Sequence, residues 1–328
     1  MKRLFVLFAF LLVSGAAFAQ DEKPQSEGTL MIVPRLEAEP GYIFPEKLGG
    51  IDMGYTSLYT LFEGNLGTHF SYSVSNHWFA FTRSFDDTKD LYRNTWRADS
   101  NNWVDWANVT VHFGNFSITA GKDYIHMGTF ENDAYDFDAH WQLNSALWNN
   151  YQVYQWGGSL NWTSSDEATL LMLQVTSDQT MERPFGSRSI GDYAFNLFGS
   201  HETDDLKVMG SVLRCSIGWL GSFGVEAYVS DAITVGGDGY VGNNYSGASL
   251  RINGQLGDHF ELFAKGGFDV GQDEDFYIGN RIYGGLGGNW YPLRNRDLRV
   301  HALCAAGTNP GNLQFSVGVT YALNLKLF

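Results

Sequence analysis

The densest set of side chains able to do chemistry lies between residues 126 and 150, where Glu131, Asp133, Asp136, Asp138 and His140 are interleaved with Phe130, Tyr135, Phe137 and Trp141. Carboxylates clustered where water reaches them favour cations. A calcium loop of the EF-hand kind would need a glycine at its sharp turn and a closing glutamate, and this spacing has neither. The eight histidines are scattered, and neither an HExxH pair nor a GxSxG elbow occurs. The chemistry on offer is therefore electrostatic and no enzyme is expected; the enzymatic alternative is a dyad at a rim. Three basic residues, Arg251, Lys265 and Arg299, lie on the polar faces of their segments. Set across a channel from the acidic stretch, they would create a transverse field that orients dipolar solutes such as sugars and amino acids. The plainer alternative is an external acidic loop, with the basic residues pairing locally in a wall.

Whatever holds these residues is built of strands. Leu313, Phe315, Val317, Val319, Tyr321, Leu323, Leu325 and Leu327 alternate with Gln314, Ser316, Gly318, Thr320, Ala322, Asn324 and Lys326. A period of two held that long exceeds an ordinary soluble strand of about five or six residues and suits a tilted membrane crossing. Ala107, Val109, Val111 and Phe113 repeat the pattern against Trp106, Asn108, Thr110 and His112. So do residues 260–268 and 298–305, where Phe263 and Leu303 are apolar exceptions on the polar face. The spacing predicts strands near 28–39, 51–63, 67–83, 102–113, 115–125, 151–162, 167–177, 190–200, 205–215, 221–231, 246–256, 258–269, 280–291, 297–307 and 313–328. That is an odd number, and single-chain bacterial barrels have an even one. One strand is missing, expected between 216 and 245, which makes sixteen; fourteen is the alternative. Tight turns alternate with long polar stretches at 84–101, 126–150, 178–189, 232–245 and 270–279. The fold expected is an all-β transmembrane antiparallel barrel with the long acidic loop folded into its lumen.

Composition agrees. Mean hydropathy is −0.20, and no stretch after the first residues approaches the length of a membrane-crossing helix. A barrel hides its lipid face from such averages, because every second side chain faces water. Lys2 and Arg3, the apolar run 4–12 and Ala17-Phe18-Ala19 read as a signal peptide over 1–19, leaving 20–328 as the barrel. Removing Lys2 and Arg3 takes the formal charge from −15 to −17. Such acidity argues against nucleic acid. It suits a cation-leaning pore or loops that hold divalent ions between lipopolysaccharide headgroups, and it equally suits plain loop solvation. Cys215 and Cys304 read as small apolar residues within strands, their pairing left open; no cofactor or metal is expected.

Two stretches carry a family resemblance. Tyr321, Leu323, Leu325, Leu327 and the final Phe328 resemble the signal that barrel assembly machinery reads, although Phe328 is one residue out of step with the apolar set. Residues 116–162, with Gly121-Lys122, then Gly128, then the acidic-aromatic loop and a returning strand, resemble porins of the Bacteroidota and the wider porin O/P-like group. The resemblance implies an outer-membrane porin of a Gram-negative cell, a water-filled channel for passive diffusion of small hydrophilic solutes, with a homotrimer allowed. A non-conducting barrel acting as surface anchor or binding protein is the alternative. A sugar-binding line of inward aromatics would draw on Trp106, Phe263 and Tyr283, but most aromatics here suit the lipid boundary.

Overall fold

A strand with one apolar and one polar face must bury neither its edges nor its water-facing side, and closing the sheet on itself meets both demands. The computed structural model describes residues 26–43, 51–52, 56–86, 91–96, 104–132, 143–151, 153–178, 192–216, 218–271, 280–308 and 312–328. Its strands are β1 (Glu27–Ile43), β2 (Ile51–Asp52 with Ser57–Leu66), β3 (Phe70–Asp86), β4 (Leu91–Trp96 with Val104–Phe113), β5 (Phe116–Tyr124), β6 (Tyr154–Thr163), β7 (Thr169–Ser177) and β8 (Tyr193–Glu202). There follow β9 (Leu206–Cys215), β10 (Gly218–Ser230), β11 (Ile233–Gly242), β12 (Tyr245–Leu256), β13 (Phe260–Gly271), β14 (Arg281–Trp290), β15 (Leu298–Gly307) and β16 (Asn312–Tyr321 with Leu323–Lys326). Each pairs antiparallel with the next, and β16 returns to β1 in a single register, with Ala38 opposite Val317, Arg35 opposite Thr320 and Leu30 opposite Leu325. The result is a closed transmembrane barrel of sixteen strands. Among the described residues no helix is long and apolar enough to cross a membrane.

The two faces are those the alternation predicts. Leu250 is 72% exposed and Ser249 beside it 7%. Leu197, Phe223, Ile282, Leu286 and Val317 form an outer apolar belt, while Asn196, Ser211, Ser222 and Ser316 are buried inside. Val319 is outward and Thr320 inward. Placing arginine at Val319 is expected to cost about 2–4 kcal/mol near mid-membrane, measured as urea-dependent unfolding from lipid vesicles. Assembly of Val319→Arg as complete and as stable as wild type would invert the faces of β16.

The missing strand is β11, inside the stretch 232–245 expected to be a loop. Its glycines hide it from propensity, because glycine is depleted in strands. Neighbouring side chains fill those positions. A Cβ on Gly239 would come within 2.5 Å of the Phe223 ring, and one on Gly236 within 2.5 Å of the Arg251 guanidinium. The predicted loop 84–101 is corrected too: β3 runs to Asp86 and pairs with Leu91–Trp96 as an extended hairpin. Tight turns close one rim, with Gly67, Gly114 and Gly257 at positive φ. At the other rim β9–β10 and β11–β12 also meet through short connections, on the same rim as the long one from β5 to β6. Cys215 on β9 and Cys304 on β15 form no disulfide.

Candidate functional site: a segment laid across the inner wall

The β5–β6 connection does not leave the barrel directly. From Ile125 it crosses the inner faces of successive strands, and each step has a polar partner. The His126 amide donates to Gln174 Oε1 of β7 (3.3 Å), and Asn196 Nδ2 of β8 donates to the His126 carbonyl (2.7 Å). The Gly128 amide points at the hydroxyls of Ser211 on β9 (3.1 Å) and Ser222 on β10 (2.9 Å). The Phe130 amide donates to Asp238 Oδ1 of β11 (2.7 Å). Glu131 then pairs with Lys265 of β13. A buried backbone needs every N–H and C=O answered, and inward Gln, Asn, Ser and Asp supply the answers here.

Packing fixes the same path. Gly128 lies against the backbone of Gly210, where any side chain would collide. The Phe130 ring is 1% exposed among Met172, Phe198 and Met209. Its seat exists because residue 224 is glycine: a Cβ there would come within 2.7 Å of the ring. The Arg251 guanidinium stacks on the ring at 4.6 Å and pairs with Glu226 at 2.6 Å. The returning half is equally tied. Leu143 packs on Phe263, Leu303 and Ala305. The Ser145 amide (2.8 Å) and hydroxyl (2.5 Å) donate to the Glu131 carboxylate, closing the two halves on each other. Ser145 also caps a short helix, α1 (Ala146–Asn150), by accepting from the Trp148 amide. The Ala146 amide, the Tyr240 hydroxyl and Arg281 Nε converge on Asp269 at 3.0, 2.7 and 3.0 Å.

Several expected site residues take other places. Glu131 and Lys265 are brought into contact rather than set across a gap, and Arg251 lies under the segment with Glu226. Local pairing therefore describes these two basic residues. Both sit on the stretch of wall that the segment covers. Arg299 is apart from them, with Arg35 of β1; each donates to the Thr320 hydroxyl, at 3.3 and 3.4 Å. Asp133, Asp136, Asp138 and His140 lie outside the described residues. Phe263 and Tyr283 are buried beneath the segment, which removes them from a sugar-binding line. The inward apolar exceptions Phe263 and Leu303 thus have a reason: they receive Leu143. Sequence reasoning singled out Gly128 only as part of a resemblance and missed Asp238, Asp269 and Gly224. Inward acids and glycines on Gly-rich strands are their only trace, and that pattern does not say what fills the space. At the seam, the Phe328 ring folds over Gly28, within 2.7 Å of where a Cβ would stand.

No family model matches the chain, and no curated protein matches it. Solved structures do. Two engineered variants of the porin of Rh. blastica align over 92% of this chain and 100% of theirs, at 14% and 13% identity, each with a TM-score of 0.61. A triple mutant of Rhodopseudomonas blastica porin aligns over the same shares at 14% identity and a TM-score of 0.59. At such identities the likeness is one of fold, the sixteen-stranded porin barrel.

Proposed function

We propose that the chain is a porin-type channel of the Gram-negative outer membrane, carrying small hydrophilic solutes by passive diffusion with a preference for cations. The observation that carries the reading is a polar inner face with, among the described residues, an inserted segment pinned to an arc of the wall. A segment so placed narrows a lumen without filling it, whereas a plug contacts the wall all round. Within the narrowing, Glu131 is matched by Lys265 and adds little net field. The cation preference is therefore assigned to Asp133, Asp136 and Asp138, with His140 beside them, carried on the same segment. Arg299, together with Arg35, supplies the positive side.

The rest of the reading follows the sequence. Residues 1–19 direct export and are removed, and the strand ending in Tyr321, Leu323, Leu325, Leu327 and Phe328 is offered to the barrel assembly machinery. The outer belt meets lipid and lipopolysaccharide, and the channel works as a homotrimer. The grouping with Bacteroidota porins rests on residues 116–162.

Single-channel conductance of the refolded mature protein, with the reversal potential under a salt gradient, tests the proposal. Open steps with cation preference are expected. Replacing Asp133, Asp136 and Asp138 together by Asn should move the reversal potential towards zero while the channel still opens. A correctly folded barrel that passes no current would overturn the channel reading in favour of a surface anchor or binding protein.

A further inference from the structure

Away from the inserted segment, the seam between the first and last strands holds a second set of inward polar groups. Glu37 of β1 and His301 of β15 are 1% and 2% exposed, and they meet across β16. The register makes this possible, because Gly318 of β16 is opposite both of them. The imidazole lies in the space where a side chain at 318 would stand, so only glycine lets the two groups touch. The Thr56 hydroxyl accepts from the Glu37 amide at 3.2 Å and steadies the backbone there.

The contact does not have the geometry of a hydrogen bond. His301 Nε2 and Glu37 Oε2 are 3.3 Å apart. A charge-assisted N–H···O bond closes to about 2.7–2.9 Å. Both carboxylate oxygens, both ring nitrogens and the Ser316 hydroxyl, which points inward two residues along β16, are buried without a hydrogen-bond partner. A buried carboxylate and imidazole left in that state are costly. The separation fits a different bond. Nitrogen and oxygen ligands about 2.0–2.2 Å from a tetrahedral zinc stand about 3.3–3.5 Å from each other.

We propose that Glu37 Oε2 and His301 Nε2 are two ligands of a divalent transition-metal site of the zinc type, set into the inner wall at the seam. Two protein ligands leave two positions for water or for a donor atom of a passing solute. A metal there joins β1 to β15 over β16. The site involves none of the groups that hold the inserted segment, so it stands or falls separately from the channel reading.

Co2+ is the probe, since a tetrahedral N/O site absorbs visible light far more strongly, and at longer wavelength, than the octahedral aquo ion. The refolded full barrel in detergent is expected to take up one equivalent with a tetrahedral spectrum, displaced by Zn2+. His301→Gln and Glu37→Gln should each weaken uptake by at least about tenfold, and Glu261→Gln, on β13, should not change it. Gly318→Ala keeps both ligands but pushes the ring aside, and should weaken binding as well. An octahedral spectrum, no saturable uptake, or uptake unchanged in a folded His301→Gln barrel would each overturn the site. If neither ligand variant refolds, the wild-type spectrum decides alone.

Discussion

Replacing Lys265 by Met is expected to destabilise the seat of the inserted segment by about 3–5 kcal/mol, because it leaves the Glu131 carboxylate buried and without its counter-charge. The side chains of Glu131 and Lys265 are only 3% and 4% exposed, so water screens neither. The two Ser145 donors remain, but they solvate the carboxylate without neutralising it. Glu131→Gln alone should cost less than Lys265→Met, since the longer lysine can move its ammonium towards the lumen. The double variant, Glu131→Gln with Lys265→Met, should recover much of the loss, and the cycle reads the coupling directly. Hydrogen exchange of the Gly128, Phe130 and Ser145 amides is the measurement. Equal protection in wild type and Lys265→Met would mean that the pair does not hold the segment.

Phe130→Ala should release the same segment by loss of packing. The ring fills a hollow floored by Gly224 and roofed by Arg251, and large-to-small changes at such sites cost about 3–5 kcal/mol. The loss is local, because no strand-to-strand pairing runs through Phe130. The strand content should stay as in wild type while protease cuts appear within 126–150. On the channel reading proposed above, the current should become noisier as Phe130 and Glu131 lose their seat. Resistance to protease equal to wild type would argue that the polar rungs alone hold the segment.

How much of this could be read in advance depends on the physics involved. Side-chain alternation is a local property, so β13, β15 and β16 were legible with their faces. It failed at β11, where glycines leave the outer face to be filled by Phe223 from β10 and the inner face by Arg251 from β12. The face of Lys265 was legible but its partner was not: a period of two tells which side a residue takes, not what lies within 4 Å of it. Glu131 was picked out for its charge, yet most of its surroundings (Ser145, Lys265 and, one residue back, Asp238) come from elements up to 134 residues away. The apolar exceptions Phe263 and Leu303 were the available hint that something covers the inner wall.

The seam has a kinetic consequence. Arg35 and Thr320 are 285 residues apart in the chain, whereas every other strand pairing joins neighbours in sequence. The entropy lost in joining such distant segments is not offset until the sheet has already curled enough to present its two edges to each other. Hairpins can therefore zip early and in any order, but closure comes last and all at once. Until then β1 and β16 are open edges, able to pair with any other strand they meet. The slow phase of refolding should accordingly belong to residues at this junction, and a factor that holds the two edges apart from other chains would raise the yield without changing the final fold.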